Sequence, residues 1–482
     1  MVTNRSISQK PHSRCLFLTK HLCFPCISTA EDVRAENGAI YNEHGCSWLS
    51  GAAMYQDGKF KRSAWLAVFI TALVVRIGAA VYWQDRLPDA SPYAFGDSHS
   101  YWTLGLLIHQ GEPYRYGGDD AQMVRTPGYP LIIAGLHRLA GGYPTVLYGR
   151  ILNAILGVVT IGIVALIASR LFNSTVGWVS AAILAIYPGA VSMSIMILSE
   201  GPFCLFMALQ FYCLLRAYRG TAISRSMWAT GSGVLAAGAT LIRPSWLLFT
   251  PFLLAMLLVF SSQRKRHFSV GMMAIMGLIM GMSPWWIRNY QVSDEFVPTT
   301  SRMGASLYDG LSPKATGGSD MSFITGFYAK LNTEVAEGGF SGNYELELDR
   351  RMKSAALNWA VKNPVATASL AIKKLGRMWN PLPNDNRLNS GKLKWLLAIG
   401  YVVVVCAAIL GIWRIRKGGW ERLILVTPAI YFSLLHMVFV SSIRYRQPAM
   451  ILLVVLAASY LADCCFSKSR TTDLVAQGVL DA

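Results

Sequence analysis

Residues 146–168 read VLYGRILNAILGVVTIGIVALIA, with Arg150 as the single charged residue. As an α-helix, a run of this length crosses the apolar core of a bilayer, which is about 30 Å thick. Similar runs recur along the 482-residue chain, in which 53% of residues are hydrophobic and 15% are charged. Soluble domains average about 25% charged residues. The sequence therefore predicts an all-α polytopic membrane protein.

The apolar runs predict about ten transmembrane helices, because each is long enough to span a bilayer. We place them at 64–83, 146–168, 176–196, 201–215, 228–242, 246–260, 269–286, 395–413, 423–441 and 446–463.

Basic residues cluster in alternate connections between these spans, which predicts the orientation of the chain. The clusters are Lys59, Lys61 and Arg62, then Arg216, Arg219 and Arg225, then Arg264, Lys265 and Arg266, and finally Arg414, Arg416, Lys417 and Arg422. Because cytoplasmic loops carry the excess of Lys and Arg, both termini are expected in the cytoplasm. Two long segments, 84–145 and 287–394, are then expected on the outer face.

The same pattern divides the chain into five parts. Residues 1–60 form a polar cytoplasmic tail that we expect to be disordered, and 61–286 form a membrane module containing the first outer loop, 84–145. Residues 287–394 form an outer-face loop with helices predicted at 344–362 and 365–379. The second of these helices suits either the membrane surface or an ordinary protein surface. Residues 395–466 carry the last spans, and 467–482 form a cytoplasmic tail.

The formal charge of +18 raises the question of nucleic acid, but no recognition motif or basic helix accompanies it. No Walker A sequence and no GxGxxG opening a helix is present, so a nucleotide-binding fold is not expected. We therefore expect a membrane partner and no nucleic-acid partner.

Two carboxylates are expected at the outer interface, each beside a span. Asp97 follows the first span, and Glu200 occupies the short turn between the third and fourth. They could converge on one site, one as a general base and the other positioning an acceptor or binding a metal. Asp97 with His99 could hold a divalent metal. The alternative is that Asp97 caps a helix beginning at Ser98 and Glu200 caps the fourth span.

Several arginines are also expected on the outer side, against the positive-inside bias. They are Arg125, Arg243, Arg288, Arg444 and Arg446, with Arg76 and Arg150 near outer span ends. Guanidinium groups bind phosphate through a planar fork of donors, so this set suits a phosphorylated lipid. The alternative for each is snorkelling to lipid head groups.

In their order along the chain, several short stretches resemble the membrane glycosyltransferases of the GT-C superfamily. The likeness is to the bacterial branch related to protein O-mannosyltransferases and lipid A aminoarabinose transferase, similar to glycosyltransferase family 39. The stretches are Asp97 with Tyr101, Arg125-Thr126-Pro127-Gly128-Tyr129-Pro130-Leu131, Gly149-Arg150-Ile151-Leu152-Asn153, Leu198-Ser199-Glu200, Leu241-Ile242-Arg243-Pro244, Pro284-Trp285-Trp286-Ile287-Arg288-Asn289-Tyr290, Phe296-Val297-Pro298 and Arg444-Tyr445-Arg446-Gln447-Pro448.

The resemblance implies an inverting transferase in the bacterial inner membrane that uses a polyprenyl-phosphate sugar donor on the outer face. The acceptor would be a lipid, a glycan or a protein. It implies catalytic roles for Asp97 and Glu200. Substrate-binding roles are implied for Tyr101, Arg125, Tyr129, Arg243, Arg288, Arg444 and Arg446. Many relatives carry paired acidic residues in the first loop, whereas Ser98 and His99 follow Asp97 here, so metal dependence stays open.

The rival interpretation is a polyprenyl-linked glycan flippase or transporter, in which the same charges bind and move an anionic substrate. Transporters commonly contain internal repeats and broken helices that meet at the membrane midplane. No repeat is evident in this sequence, and its unusual charges are predicted at the outer interface. A membrane ligase that moves a preassembled glycan is a third interpretation.

Overall fold

The computed structural model describes residues 60–88, 91–118, 120–383, 391–414 and 419–466. These ranges contain only helices as regular secondary structure. The predicted tails 1–60 and 467–482 lie outside the described residues, apart from Phe60, as do Arg416 and Lys417 of the last basic cluster.

Seventeen α-helices are found in these ranges, together with two 3-10 turns at Pro244–Trp246 and Met321–Phe323. The α-helices are α1 (Arg62–Gln84), α2 (Gly96–Gln110), α3 (Gly128–Leu139), α4 (Val146–Leu171), α5 (Ser174–Ile186), α6 (Pro188–Ile195), α7 (Glu200–Arg219), α8 (Ala222–Ile242), α9 (Phe249–Phe260), α10 (Arg264–Ser293), α11 (Met303–Gly310), α12 (Ile324–Ala336), α13 (Tyr344–Lys362), α14 (Pro364–Trp379), α15 (Gly391–Arg414), α16 (Trp420–Val438) and α17 (Ile443–Phe466).

Helices overlap all ten predicted spans, the third of which contains two helices, α5 and α6. Within the described ranges, six helices could cross a membrane by length and apolar composition: α1, α4, α10, α15, α16 and α17. The bent pair α5 and α6 makes a seventh if it is counted as one span. The remaining predicted spans coincide with α7, α8 and the short apolar α9, which do not meet the same measure. The all-helical membrane fold is therefore confirmed, while the number of about ten spans stays a prediction.

The predicted third span is broken, because α5 and α6 meet at an angle of 60°. Pro188 is the first residue of α6, and Tyr187 before it is non-helical, with φ −59° and ψ 115°. Proline disfavours the helical conformation in the residue before it and lacks the N–H that would continue the ladder. The break therefore leaves the last carbonyls of α5 without helical donors.

Two buried arginines satisfy carbonyls at the ends of this broken span. Arg76 of α1 donates to the carbonyl of Leu184 at 2.8 Å and to that of Ala185 at 3.0 Å. Arg150 of α4 donates to the carbonyl of Ile195 at 3.2 Å. A guanidinium at a helix C-terminus also complements the helix dipole. These two arginines therefore hold the backbone of the membrane module rather than reaching lipid head groups.

The two segments predicted to lie on the outer face, 84–145 and 287–394, are joined through Glu345 at the start of α13; we call them the first and second outer segments. Its carboxylate accepts hydrogen bonds from the backbone N–H groups of Gln122 at 3.0 Å and Met123 at 3.1 Å, and from the Ser301 hydroxyl. The N–H of Ser301 in turn donates to the carbonyl of Met123 at 3.1 Å. Helix α13 coincides with the helix predicted at 344–362. The contacts around Glu345 fix the segment that leads into Arg125.

Helix α14 coincides with the helix predicted at 365–379 and packs one face on the end of α16. Lys374 is buried, and its ammonium donates to the carbonyl of Val438 at 2.6 Å and to that of Met437 at 3.3 Å. Burial lowers the pKa of Lys374 to about 8. Val365 and Ile372 are exposed. The placement of α14 on the membrane surface stays a prediction.

Replacing Arg76 with methionine should destabilise the protein, because two buried carbonyls at the break lose their donor. Each unsatisfied group costs about 1–3 kcal/mol. The apparent unfolding temperature in detergent should fall, whereas Arg62→Met, which changes an exposed arginine of the same helix, should leave it unchanged. Equal unfolding temperatures for the two variants would show that the break needs no such cap.

Candidate active site

Asp97 lies in the first turn of α2, and its side chain does not cap that helix. The helix begins at Gly96, after Phe95 in extended conformation, without a side-chain cap. The carboxylate instead contacts two guanidinium groups: its Oδ1 lies 2.5 Å from Nη2 of Arg125, and its Oδ2 lies 3.3 Å from Nη2 of Arg444. The helix prediction beginning at Ser98 is thus off by two residues, and the capping role for Asp97 is wrong.

Glu200 is the first residue of α7 and also binds two arginines. Its Oε1 lies 2.8 Å from Nη1 of Arg243 and 2.9 Å from Nε of Arg444. Arg444 therefore bridges the two carboxylates that were predicted to converge. We call these five residues, Arg125, Asp97, Arg444, Glu200 and Arg243, the charge network.

The backbone brings the ends of several elements together to form this network. Arg243 directly follows α8, and Arg444 lies in the first turn of α17. Gly128 opens α3 against the end of α8. A Cβ at this position would lie 2.6 Å from the carbonyl carbon of Leu241. Only glycine permits that approach, which places the segment carrying Arg125 beside the end of α8.

The two carboxylates differ in exposure. The Glu200 side chain is 1% exposed, whereas that of Asp97 is 36% exposed although protein surrounds it. The side chains of Arg125 and Arg444 keep 20% and 21% of their surfaces accessible. The space beside Asp97 and its two arginines, which we call the cleft, is therefore accessible to a ligand, whereas Glu200 is buried.

The arginines decide the ionisation of Asp97. Burial alone would raise the pKa of its carboxyl, but the charges of Arg125 and Arg444, with their hydrogen bonds, outweigh burial. The pKa of Asp97 is therefore well below its ordinary value of about 3.9. In the free protein this carboxylate is ionised at any physiological pH.

Aromatic rings support the guanidinium groups of the network. The Tyr101 ring lies 5.1 Å from the Arg125 guanidinium, and the Tyr445 ring lies 5.0 Å from those of Arg243 and of Arg444. Such cation–π contacts hold a guanidinium in place while leaving its N–H groups free. The sequence pointed to Tyr445 only as part of a motif, although its position between Arg444 and Arg446 was a usable signal.

Tyr129 contacts Tyr101, which in turn lies beside Arg125 of the network. Its ring packs against that of Tyr101 with centroids 5.1 Å apart, and its hydroxyl accepts a hydrogen bond from Asn153 at 2.8 Å. Tyr129 is fully buried and Tyr101 nearly so. We therefore interpret both tyrosines as supports for Arg125, whereas substrate contact had been predicted for them.

Two of the predicted substrate-binding arginines lie outside the network. Arg446 is buried, donates to the carbonyls of Met378 at 2.9 Å and Asn380 at 2.5 Å, and lies over the Tyr401 ring. Arg288 donates to the carbonyl of Gln122 at 2.9 Å. Neither forms an ion pair with Asp97 or Glu200. The geometry favours structural roles for both. Arg446 holds the backbone at the end of α14, and Arg288 holds the segment before Arg125.

The residues around Asp97 do not make a set of metal ligands. Across the described ranges, no group of three or more His, Cys, Asp or Glu side chains is arranged to hold a metal ion. The Nδ1 atom of His99 lies 2.9 Å from the Tyr116 hydroxyl. Both oxygens of Asp97 contact arginine. The donor set therefore does not fit the divalent ion predicted for Asp97 and His99.

Arg302 is a residue that the sequence did not single out, because it lies in no motif and in no span. It precedes α11 and is half-buried. It interacts electrostatically with Asp97 and Arg125, and burial lowers the pKa of its guanidinium. Only the folded arrangement of the outer segments brings it near the charge network.

A comparison with known protein families finds a match to the part of the chain that carries three of the five network residues. Residues 124–287 match the family model of dolichyl-phosphate-mannose-protein mannosyltransferases. This stretch includes Arg125, Glu200 and Arg243. No curated protein sequence matches the chain significantly.

Several solved structures resemble this fold. The apo oligosaccharyltransferase of Archaeoglobus fulgidus is 14% identical, with a TM-score of 0.54 over 86% of this chain and 52% of that chain. The oligosaccharyltransferase AglB of the same organism, in complex with an inhibitory peptide and a dolichol-phosphate, is 14% identical, with a TM-score of 0.54 over 87% of this chain and 52% of that chain. ArnT from Cupriavidus metallidurans bound to undecaprenyl phosphate is 15% identical, with a TM-score of 0.41 over 82% of this chain and 78% of that chain.

The chain thus spans about half the length of the archaeal oligosaccharyltransferases. At 14% identity, the likeness to them shows a shared fold. The family-model match and the shared fold together confirm the resemblance of this chain to the membrane glycosyltransferases of the GT-C superfamily.

Proposed function

We propose that this protein transfers a sugar from a polyprenyl-phosphate carrier to an acceptor on the outer face of the membrane, with inversion at the anomeric carbon. The observation that carries the proposal is the accessible carboxylate of Asp97 held between the guanidinium groups of Arg125 and Arg444. The family-model match and the complex of the archaeal AglB with dolichol-phosphate support it.

The charge of the network suits one phosphodiester. The network contains three guanidinium groups and two carboxylates, so it carries one positive charge in excess. A sugar linked to a polyprenyl phosphate carries one negative charge on its phosphodiester. Donor binding would neutralise the network, and arginine is well suited to hold phosphate oxygens through paired N–H groups.

Transfer would be a single displacement. The acceptor oxygen attacks the anomeric carbon and its proton passes to Asp97, while the bond from the anomeric carbon to the phosphate oxygen breaks. The electron pair of that bond leaves with the polyprenyl phosphate, which gains a negative charge. Arg125 and Arg444 lie where that charge develops and would stabilise it.

Donor binding would also prepare the base. In the free protein the two arginines keep the pKa of Asp97 too low for efficient proton acceptance. When the donor phosphate shares their N–H groups, the carboxylate loses part of this stabilisation and its pKa rises toward that of a useful base. The base is thus strengthened only when a donor is present, which limits proton uptake in the empty site.

Glu200 fits a positioning role better than the catalytic role implied by the resemblance. Its carboxylate is buried and ion-paired with Arg243 and Arg444. It would fix the plane of the Arg444 guanidinium so that the remaining N–H groups of Arg444 face Asp97 and the cleft. A buried ion pair of this kind holds a geometry even where its net contribution to stability is small.

We further propose a bacterial inner-membrane location with both termini in the cytoplasm, as the positive-inside pattern predicts. The basic clusters at the end of α7 and the start of α10 would face the cytoplasm. The charge network, at the start of α7 and of α17, would then lie at the outer ends of these helices.

The flippase alternative draws on one observation, the broken span formed by α5 and α6, since broken helices are common in transporters. In transporters the freed backbone groups bind substrate or ions. Here Arg76 occupies the freed carbonyls of Leu184 and Ala185. The break is therefore closed to a ligand, and the transferase remains the function that the geometry supports best.

Replacing Asp97 with asparagine should abolish sugar transfer while leaving the fold intact. Loss of a general base typically lowers the rate by about 10²–10⁴-fold. Release of carrier from a panel of polyprenyl-phosphate sugars, measured with purified protein in nanodiscs, tests this. Glu295→Gln, which changes an exposed ion-paired carboxylate, is the matched control. Full activity of Asp97→Asn would remove Asp97 from the mechanism, and carrier movement across vesicles without release would favour the flippase.

Replacing Arg125 with glutamine should move the acid limb of kcat/KM to higher pH. Burial raises the pKa of Asp97, and only the arginines hold it down, so loss of one arginine lets burial prevail. Wild-type kcat/KM should stay level between about pH 4 and pH 6, while the residual activity of the variant should fall as pH decreases through that range. Superimposable profiles would contradict the assignment of Asp97 as base.

Replacing Glu200 with glutamine should destabilise the protein, because Arg243 and Arg444 lose the carboxylate that lies between them. Removing one partner of a buried ion pair costs about 3–5 kcal/mol. The double variant Glu200→Gln, Arg243→Gln should be less destabilised than the sum of the single changes. Thermal unfolding in detergent measures this, and strictly additive effects would show that the pair is not coupled.

A further inference from the structure

A cavity of about 210 Å³ lies between the first outer segment and the second, next to Glu345 and Arg302. Its walls come from residues 116–118 of the first outer segment, from Arg302, and from Tyr328 and Tyr344 on α12 and α13. Leu348 and Met352 form an apolar part of the lining. The volume is below that of sites for drug-sized ligands and suits a single small ring.

Three links connect this cavity to the charge network. Arg302 interacts electrostatically with Asp97 and Arg125. Val124, which lines the cavity, directly precedes Arg125. The hydroxyl of Tyr116 in the cavity wall lies 2.9 Å from Nδ1 of His99, two residues after Asp97 on α2. A ligand in the cavity would therefore lie beside the reaction cleft.

Arg302 is available to such a ligand. Among the residues that the structure describes, its guanidinium makes no hydrogen bond or ion pair, although Asp97, Arg125 and Glu345 lie close enough to affect its pKa. The side chain is half-buried, so its N–H groups remain accessible from the cavity. A guanidinium offers donors and no acceptor, so it suits a ligand with hydrogen-bond acceptors.

The cavity as a whole is not built for phosphate. Among the described residues of its lining, Arg302 is accompanied by Asp120 and Glu345, so their fixed charges have no positive excess. The Tyr328 and Tyr344 rings stack with centroids 6.2 Å apart, and Tyr328 is exposed. A mixture of aromatic faces, carboxylate acceptors and one cationic donor matches a ligand with an apolar ring face and many hydroxyl groups.

A peptide fits the same cavity less well. Extended peptides usually bind by adding hydrogen bonds to an exposed strand edge. In this part of the structure, the N–H groups of Gln122 and Met123 already donate to Glu345, and the carbonyl of Met123 accepts from Ser301. The backbone at the cavity wall therefore has little left to offer a peptide main chain.

We propose that this cavity binds a neutral sugar ring of the acceptor, so that the acceptor is a glycan, an inference that rests on the proposed transferase function. The ring would pack against Tyr328, with Arg302 donating to its oxygens and Asp120 accepting from its hydroxyls. An adjacent hydroxyl would then face Asp97. His99 would act as a positioning residue that holds Tyr116 in the cavity wall.

The test measures binding without turnover, with the full-length protein in nanodiscs. Methyl α-glucoside, methyl α-mannoside and methyl α-galactoside serve as probes in saturation-transfer difference NMR. At least one should bind saturably to the wild type. Arg302→Gln and Tyr328→Ala should each weaken that binding about tenfold, the loss expected for one good polar or stacked contact. Tyr143→Ala, which changes an exposed tyrosine of the first outer segment, is the control and should bind as wild type.

A second arm separates an acceptor sugar from the sugar of the donor. Saturating amounts of the polyprenyl-phosphate hexoses should leave the bound hexoside in place if the cavity serves the acceptor. Displacement by a donor would overturn the proposal, as would equal hexoside binding by all variants, absence of saturable hexoside binding, or binding of a serine-containing peptide instead. Because carrier release is not used, failure of the transferase assay and failure of this binding test are distinguishable.

Discussion

The bridge that Arg444 makes between Asp97 and Glu200 is the interaction on which the site depends. Glu200 is buried at the start of α7, where an unpaired carboxylate would be costly, so it requires Arg243 and Arg444 beside it. That requirement joins the end of α8 and the start of α17 to α7. The remaining N–H groups of Arg444 reach Asp97 and so tie the first outer loop to the membrane module.

The arginines near the membrane divide into two chemical roles. Those of the charge network pair with carboxylates, and two of them remain accessible to a ligand. Arg76, Arg150 and Arg446 are buried and donate to backbone carbonyls at helix ends or in the loop after α14. Backbone groups at membrane depth need an internal partner, and a guanidinium can satisfy two at once. One set of arginines therefore stabilises the backbone, and the other forms the site of the proposed chemistry.

Segments 84–145 and 287–394, which we propose lie on the outer face, would add recognition of the acceptor to this arrangement. Glu345 joins these two segments, and it lines a cavity together with Arg302, Tyr328 and Tyr344. Under the two proposals, the network would hold the donor phosphate while the cavity would hold the acceptor. His99 would contribute through its contact with Tyr116.

The sequence alone determined the helical membrane fold, because the length of an apolar run and the clustering of basic residues are local properties that reflect the bilayer. It also singled out Asp97, Glu200, Arg125, Arg243 and Arg444, since charge at a span end is unusual wherever the chain folds. Only the tertiary structure decided which of the two carboxylates is accessible and which arginines instead hold backbone carbonyls. The exposure of a carboxylate and the partner of an arginine depend on residues far apart in the chain, so neither can be predicted from local composition or spacing. The tertiary structure also decided what surrounds the break at Pro188 and the guanidinium of Arg302, because the residues near both come from distant parts of the chain.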